Sequence, residues 1–230
     1  MEIIVVSIGA LSKNPLWNER APIRTSHATT TLIRTTDESG KEMNLLVDPS
    51  LPAQALDARL FERSGIKFAD ITHVFLTNWR PVHRRAIEAL SHATWWMHSE
   101  EIQAAGDALD AAITRARRES QPVDALILAE QNLLKRVIAA PDELAENVDL
   151  FPLAGYTPGQ SGLLLSEPTR TTILAGDAVA TAGHFLVGQV FPDCWDLEKA
   201  KESLGELYEV ADLIIPGHDN VFLTPRSSGF

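Results

Sequence analysis

The sequence predicts a mixed α/β fold, and three observations carry that reading. Short apolar runs, several rich in β-branched residues, recur along the chain between turn residues. Amphipathic helical patterns are interleaved with them. The composition is that of an ordinary globular protein, 45% apolar and 22% charged. Predicted strands cover residues 3–8, 29–34, 43–47, 71–77, 94–97, 148–153, 162–166, 171–174 and 213–215. A helix is expected after Ser50, as N-cap, and Pro52, with Ala55, Leu56, Leu60 and Phe61 on its apolar face and Gly65 as a left-handed stop. A second helix is expected after Asp196, with a stripe of Leu197, Ala200, Leu204, Leu207 and Tyr208. Residues 100–138 read as two surface helices broken near Pro122.

At 230 residues the chain can bury one sizeable core. No apolar stretch reaches the roughly 20 residues needed to span a bilayer, and the acidic start Met1-Glu2-Ile3 lacks the basic region of a signal peptide. One cysteine, Cys194, rules out an internal disulfide and suits a reducing cytoplasm. A formal charge of −11 argues against a nucleic-acid surface, which depends on Lys and Arg to neutralise phosphates.

Four segments carry the chemistry. Thr77-Asn78-Trp79-Arg80-Pro81-Val82-His83 follows the apolar run 71–76 and precedes an expected helix. Gly155-Tyr156-Thr157-Pro158-Gly159-Gln160-Ser161, then Gly176-Asp177-Ala178, then Pro216-Gly217-His218 come later. Each is weak alone, because Asp177 could be a turn residue and His218 a loop histidine bonded to backbone. In this order they resemble the metallo-β-lactamase superfamily, in particular its lactonase and glyoxalase II branch. The first matches the outline T-H-x-H-x-D-H and the second G-H-T-P-G-H-[ST]. Leu46-Val47-Asp48 is similar to the family's early aspartate, which supports the metal loop from behind. The resemblance runs from about residue 3 to 223 and implies an αββα four-layer sandwich, with a pocket along one sheet edge. It also implies a single domain over 1–230, with 100–138 as a helical insertion of the kind that in relatives covers the active-site mouth or builds a homodimer contact.

Complete members hold two metals about 3.5–4 Å apart that activate a bridging water. Mapped by resemblance, the first metal's own ligands are replaced by Asn78, Arg80 and Gln160, and the second loses its aspartate to Val82 while keeping His83 and His218. Asp177 stands where the bridging carboxylate would be. Carboxamides are poor zinc ligands and a guanidinium stays protonated, so the first site is lost. His83, Asp177 and His218 remain a possible one-metal set for zinc, iron or manganese. An inward Arg80 could pair with Asp177 in place of the lost cation; an outward Arg80 would leave room for one ion. A divalent ion about 5 Å from an inward guanidinium would feel roughly 6–7 kcal/mol of repulsion at an effective dielectric near 20.

The leading expectation is therefore a degenerate member without dinuclear hydrolysis, holding either no cofactor or one divalent metal, and binding a small, anionic ligand through Arg80 or acting as an interaction protein. The alternative is a single-metal hydrolase of an ester, lactone or thioester. Its metal would sit on His83, Asp177 and His218, and Asn78, Arg80 or Gln160 would stabilise the oxyanion. Other candidates are weaker. His27, His73, His92 and His98 are scattered, and His184 alone among the remaining histidines falls in a segment that lines the pocket in relatives. Trp79 could fill space vacated by metals, Trp95 and Trp96 should face opposite sides of a strand, and Cys194 has no neighbouring base.

Overall fold

A computed structural model describes residues 1–37 and 39–226. The first sheet holds β1 (Glu2–Ser7), β2 (Thr30–Thr36), β3 (Glu42–Val47), β4 (His73–Phe75), β5 (Thr94–Met97) and β6 (Val137–Ala139) in that spatial order. Its first three strands are antiparallel, and β3 to β6 run parallel. The second sheet holds β7 (Glu143–Ala145), β8 (Val148–Pro152), β9 (Ser161–Glu167), β10 (Arg170–Gly176), β11 (Leu213–Pro216) and β12 (Phe222–Leu223), with only β10 and β11 parallel.

Alternation of side chains along each strand builds three apolar layers. Leu45, Phe75 and Trp96 meet Leu163, Leu174 and Ile215 between the sheets. Their neighbours Leu46, Val74 and Trp95 face outward onto α1 (Ala53–Ser64), α2 (Ser99–Arg118) and α3 (Ala125–Leu134). Ile173 and Ile214 face outward onto α4 (Ala182–Leu186) and α5 (Leu197–Val210). The result is the expected αββα sandwich. The period of two places Trp95 and Trp96 in different layers, both buried. Each fully buried Leu or Ile contributes roughly 1.5–3 kcal/mol.

Several local expectations need correction. Ser50 does not cap α1: its hydroxyl donates to the Ala28 carbonyl, and Pro52 occupies the cap position without a side-chain bond. Leu56 and Leu60 are buried, but Ala55 and Phe61 are exposed, so the helix seats a narrower stripe. Gly65 does stop the helix at φ 75°. Asp196 caps α5 through the Glu198 and Lys199 N–H groups, while Leu197 and Tyr208 lie at the exposed border of its stripe. The loop after β4 leads not into an α-helix but into two short 3-10 turns, Pro81–His83 and Ile87–Leu90. Strands β6, β7 and β12 escaped prediction because each has only two or three residues and no alternation to read.

Candidate functional site

Parallel strands send their C-terminal ends to one edge, and the motif segments follow from them. Asp48 follows β3, the 77–83 loop follows β4, Asp177 follows β10 and His218 lies just past β11. Gln160 immediately precedes β9, whose antiparallel pairing with β10 brings it to the same edge. The Ser161 N–H donates to the Thr77 carbonyl at 3.1 Å and locks the two motif loops together. Gly176 is required here: its φ is 52°, and a Cβ would stand 2.8 Å from Gln160 Nε2.

His83 is fully buried at the centre. Its Nδ1 lies 2.9 Å from Asp48 Oδ2 and its Nε2 lies 2.8 Å from Asp177 Oδ2. Asp48, in the left-handed region at φ 49°, also accepts the Thr77 N–H and hydroxyl. Burial opposes charge on the ring, but the carboxylates of Asp177 and then Asp48 outweigh it and push the His83 pKa up to about 10. The two carboxylates favour the protonated ring, with one ring nitrogen aimed at each. Burial would likewise raise Asp177, yet the positive field of His83 holds it far below the usual carboxylate range.

Asn78 supplies the next contact. Its Nδ2 donates to Gln160 Oε1 at 2.8 Å and to Asp177 Oδ2 at 3.1 Å, and lies 3.3 Å from His83 Nε2. Its Oδ1 accepts the Arg80 N–H at 3.0 Å, which fixes the orientation of the amide. Gln160 Nε2 donates to the Ala175 carbonyl. The two carboxamides thus satisfy each other beside the aspartate.

His218 is arranged differently. Its Nδ1 donates to the His27 carbonyl at 2.9 Å, so in the neutral ring Nε2 carries a lone pair. That atom lies 3.0 Å from Asp177 Oδ1, which is buried and accepts no hydrogen bond among the described residues. His83, Asp177 and His218 place ligand atoms within 4.8 Å of one another. The orphaned oxygen and the facing lone pair fit one cation. At the other oxygen, Asp177 Oδ2, the Asn78 amide N–H donates.

Arg80 takes the outward alternative. Its guanidinium lies 4.1 Å from the centroid of the Tyr156 ring, and it forms no ion pair among the described residues. It lines a cleft of about 660 Å³ together with Tyr156, Asp177, His184, Phe191 and His218. The Val82 side chain lines the same cleft instead of contributing a ligand. His184 Nδ1 pairs with the Thr181 hydroxyl at 2.8 Å, and burial lowers its pKa. Burial first, then Asp177, raises the Tyr156 pKa, so its hydroxyl stays protonated.

Of the sequence candidates, Asn78, His83, Gln160, Asp177 and His218 converge, with Arg80 at their rim. Trp79 does not enter this space: it packs in the helix-side layer with the Arg84 guanidinium 3.8 Å from its ring. Among the other histidines, His27 hydrogen-bonds through Nε2 to the Ile8 carbonyl and His92 to the Phe68 carbonyl. Cys194 is half-buried. Sequence reasoning missed Glu101, a buried carboxylate in the first turn of α2 that accepts the Trp79 N–H at 3.0 Å, the Thr157 hydroxyl at 2.7 Å and the Gly159 N–H at 3.1 Å. The helical stretch read as a plain surface pair therefore clamps both motif loops. Tyr156 was also passed over, although it stands where the resemblance expects a histidine.

No family model and no curated protein matches the sequence. Solved structures do match in fold. AidC, a dizinc quorum-quenching lactonase in complex with a product, N-hexanoyl-L-homoserine, aligns at TM-score 0.60 and 18% identity over 83% of this chain and 72% of its own. A candidate metallo-β-lactamase of Thermotoga maritima aligns at TM-score 0.64 and 17% identity over 96% and 98%. AiiA of B. thuringiensis, with N-decanoyl-L-homoserine bound at the active site, aligns at 0.60 and 19% over 94% and 92%. The chain has the metallo-β-lactamase fold, and its His83, Asp177 and His218 form a possible metal site within it.

Proposed function

We propose that this protein binds a small anionic ligand in the cleft beside Arg80 and does not carry out dinuclear hydrolysis. The observation that carries the reading is the Asn78 carboxamide, whose Nδ2 donates at once to Gln160 and Asp177. A metal beside that Asp177 oxygen would meet amide N–H groups where it needs lone pairs. The charge that two ions would supply is replaced by the His83 imidazolium, buried between Asp48 and Asp177. Arg80, without an acidic partner among the described residues, offers the cleft a cation for an incoming anion.

A second reading rests on the His218 side. One divalent metal would be held by His218 Nε2, Asp177 Oδ1 and, once its proton is lost, His83 Nε2. When bound, such a metal would polarise a carbonyl and activate water. A proton on His83 competes with it: the Asp177 and Asp48 carboxylates hold the ring's pKa above the ordinary histidine value, which weakens metal binding at neutral pH.

A panel of lactones, thioesters and esters, assayed with and without added zinc, manganese or iron(II), separates the readings. The metal-free cleft predicts no turnover above background. Metal-dependent turnover that disappears in Asp177→Ala would establish the single-metal hydrolase instead.

A further inference from the structure

Resting on that reading of the cleft, we infer that its ligand is a single organic carboxylate carried on an apolar body, selected over the neutral ester or lactone of the same body and over a dianionic phosphate.

The argument starts from Arg80. A guanidinium held over an aromatic ring keeps its N–H donors in its own plane, where their fork matches the two oxygens of a carboxylate. Arg80 stands 4.1 Å from the Tyr156 centroid and has no carboxylate of its own among the described residues. An ester filling the cleft would cover that charge without neutralising it, and covering an unpaired ion is costly.

The remaining walls restrict charge and shape. Lys13 is the other cation of the lining, while Asp177 and Asp193 also border it. Asp177 is already matched by His83, but Asp193, on the same lining, would repel a second negative charge on a ligand. The chain as a whole carries −11, which further disfavours a dianion. Beyond Arg80 the lining turns apolar through Leu11, Val82, Val190, Phe191 and Pro192. The Phe191 ring lies 5.0 Å from Tyr156, 6.0 Å from His184 and 6.4 Å from His218, so an aromatic wall runs from the guanidinium to the depth of the cleft. A volume of about 660 Å³ accepts a body the size of a phenylalkyl or medium acyl group.

Isothermal titration of the full chain with 4-phenylbutyrate, its methyl ester, phenyl phosphate and inorganic phosphate tests the assignment. The carboxylate should bind at least about tenfold tighter than the ester and than either phosphate. Arg80→Gln should erase the preference, Arg80→Lys should restore part of it, and Tyr156→Leu should weaken the carboxylate alone. Circular dichroism of each variant confirms that it is folded. Equal binding of acid and ester, preference for a phosphate, or no binding of any probe overturns the assignment. In a metal-free protein with no turnover, those results leave the non-hydrolytic cleft standing. Metal-dependent hydrolysis of the ester overturns both.

Discussion

His83 Nε2 lies 2.8 Å from Asp177 Oδ2, with both side chains almost wholly closed to solvent. A bond of that kind in a dry site is charge-assisted, and each partner holds the other in its ionised form. The Asp48 carboxylate behind the ring strengthens the arrangement.

The pH dependence of stability follows from that pair. The His83 pKa is raised, so the stability it contributes is complete below the ordinary histidine value of 6.5 and is lost as pH climbs through about 10. The Asp177 pKa is depressed, so its contribution is present above 3.8 and lost as pH falls. Urea midpoints should be highest between those two ordinary values. The unfolding free energy should decline on the alkaline side by up to about 1.4 kcal/mol per pH unit. His83→Gln should flatten the alkaline slope; an unchanged slope would contradict the imidazolium.

Glu101 ties α2 to both motif loops with three accepted hydrogen bonds. Glu101→Ala would leave those donors without a partner and should cost about 3 kcal/mol in urea denaturation. Glu101→Gln, which keeps an acceptor, should cost about half as much. Ligand affinity should fall in both, because Asn78 and Gln160 lie on the loops that Glu101 holds.

Gly159 and Gly205 make a matched pair. A Cβ at Gly159 would stand 2.0 Å from the Glu101 backbone nitrogen, so Gly159→Ala must displace the start of α2 and should cost about 4 kcal/mol or more. Gly205, inside α5, has open space around its Cβ position. Gly205→Ala should raise stability by about 0.5–1 kcal/mol, read as a higher thermal midpoint.

Substitution at positions 78, 80, 82 and 160 tests whether the residues there separate this chain from a dizinc structural neighbour such as AidC. Asn78→His combined with Arg80→His, Val82→Asp and Gln160→His should gain tight zinc binding, measured by competition with a chromogenic chelator. Asn78→His alone should gain little, because Gln160 would still face the new ring.

Much of this was legible in the chain, and the exceptions have physical causes. Two-residue alternation placed Trp95 and Trp96 on opposite faces, and Gly65 marked a helix end, because both signals are local. The motif order brought His83, Gln160, Asp177 and His218 together before any coordinates. Whether Arg80 turned inward or outward could not be read, because the choice depends on Tyr156, 76 residues away by number and adjacent only in the fold. Glu101 was invisible for the same reason: an acid in the first turn of a helix is ordinary, and only tertiary contact showed it holding two loops. Ser50 misled because its hydroxyl found the Ala28 carbonyl, a non-local partner that outcompetes capping.

The most direct measurement is the metal content of protein purified without chelator, read by plasma mass spectrometry at neutral pH and again after equilibration with zinc and buffer exchange. The proposal that a protonated His83 and the Asn78 amide stand in for metal predicts that zinc, iron and manganese each stay far below one equivalent in both samples. Two tightly held ions, or one that is lost on His218→Ala, would contradict the account.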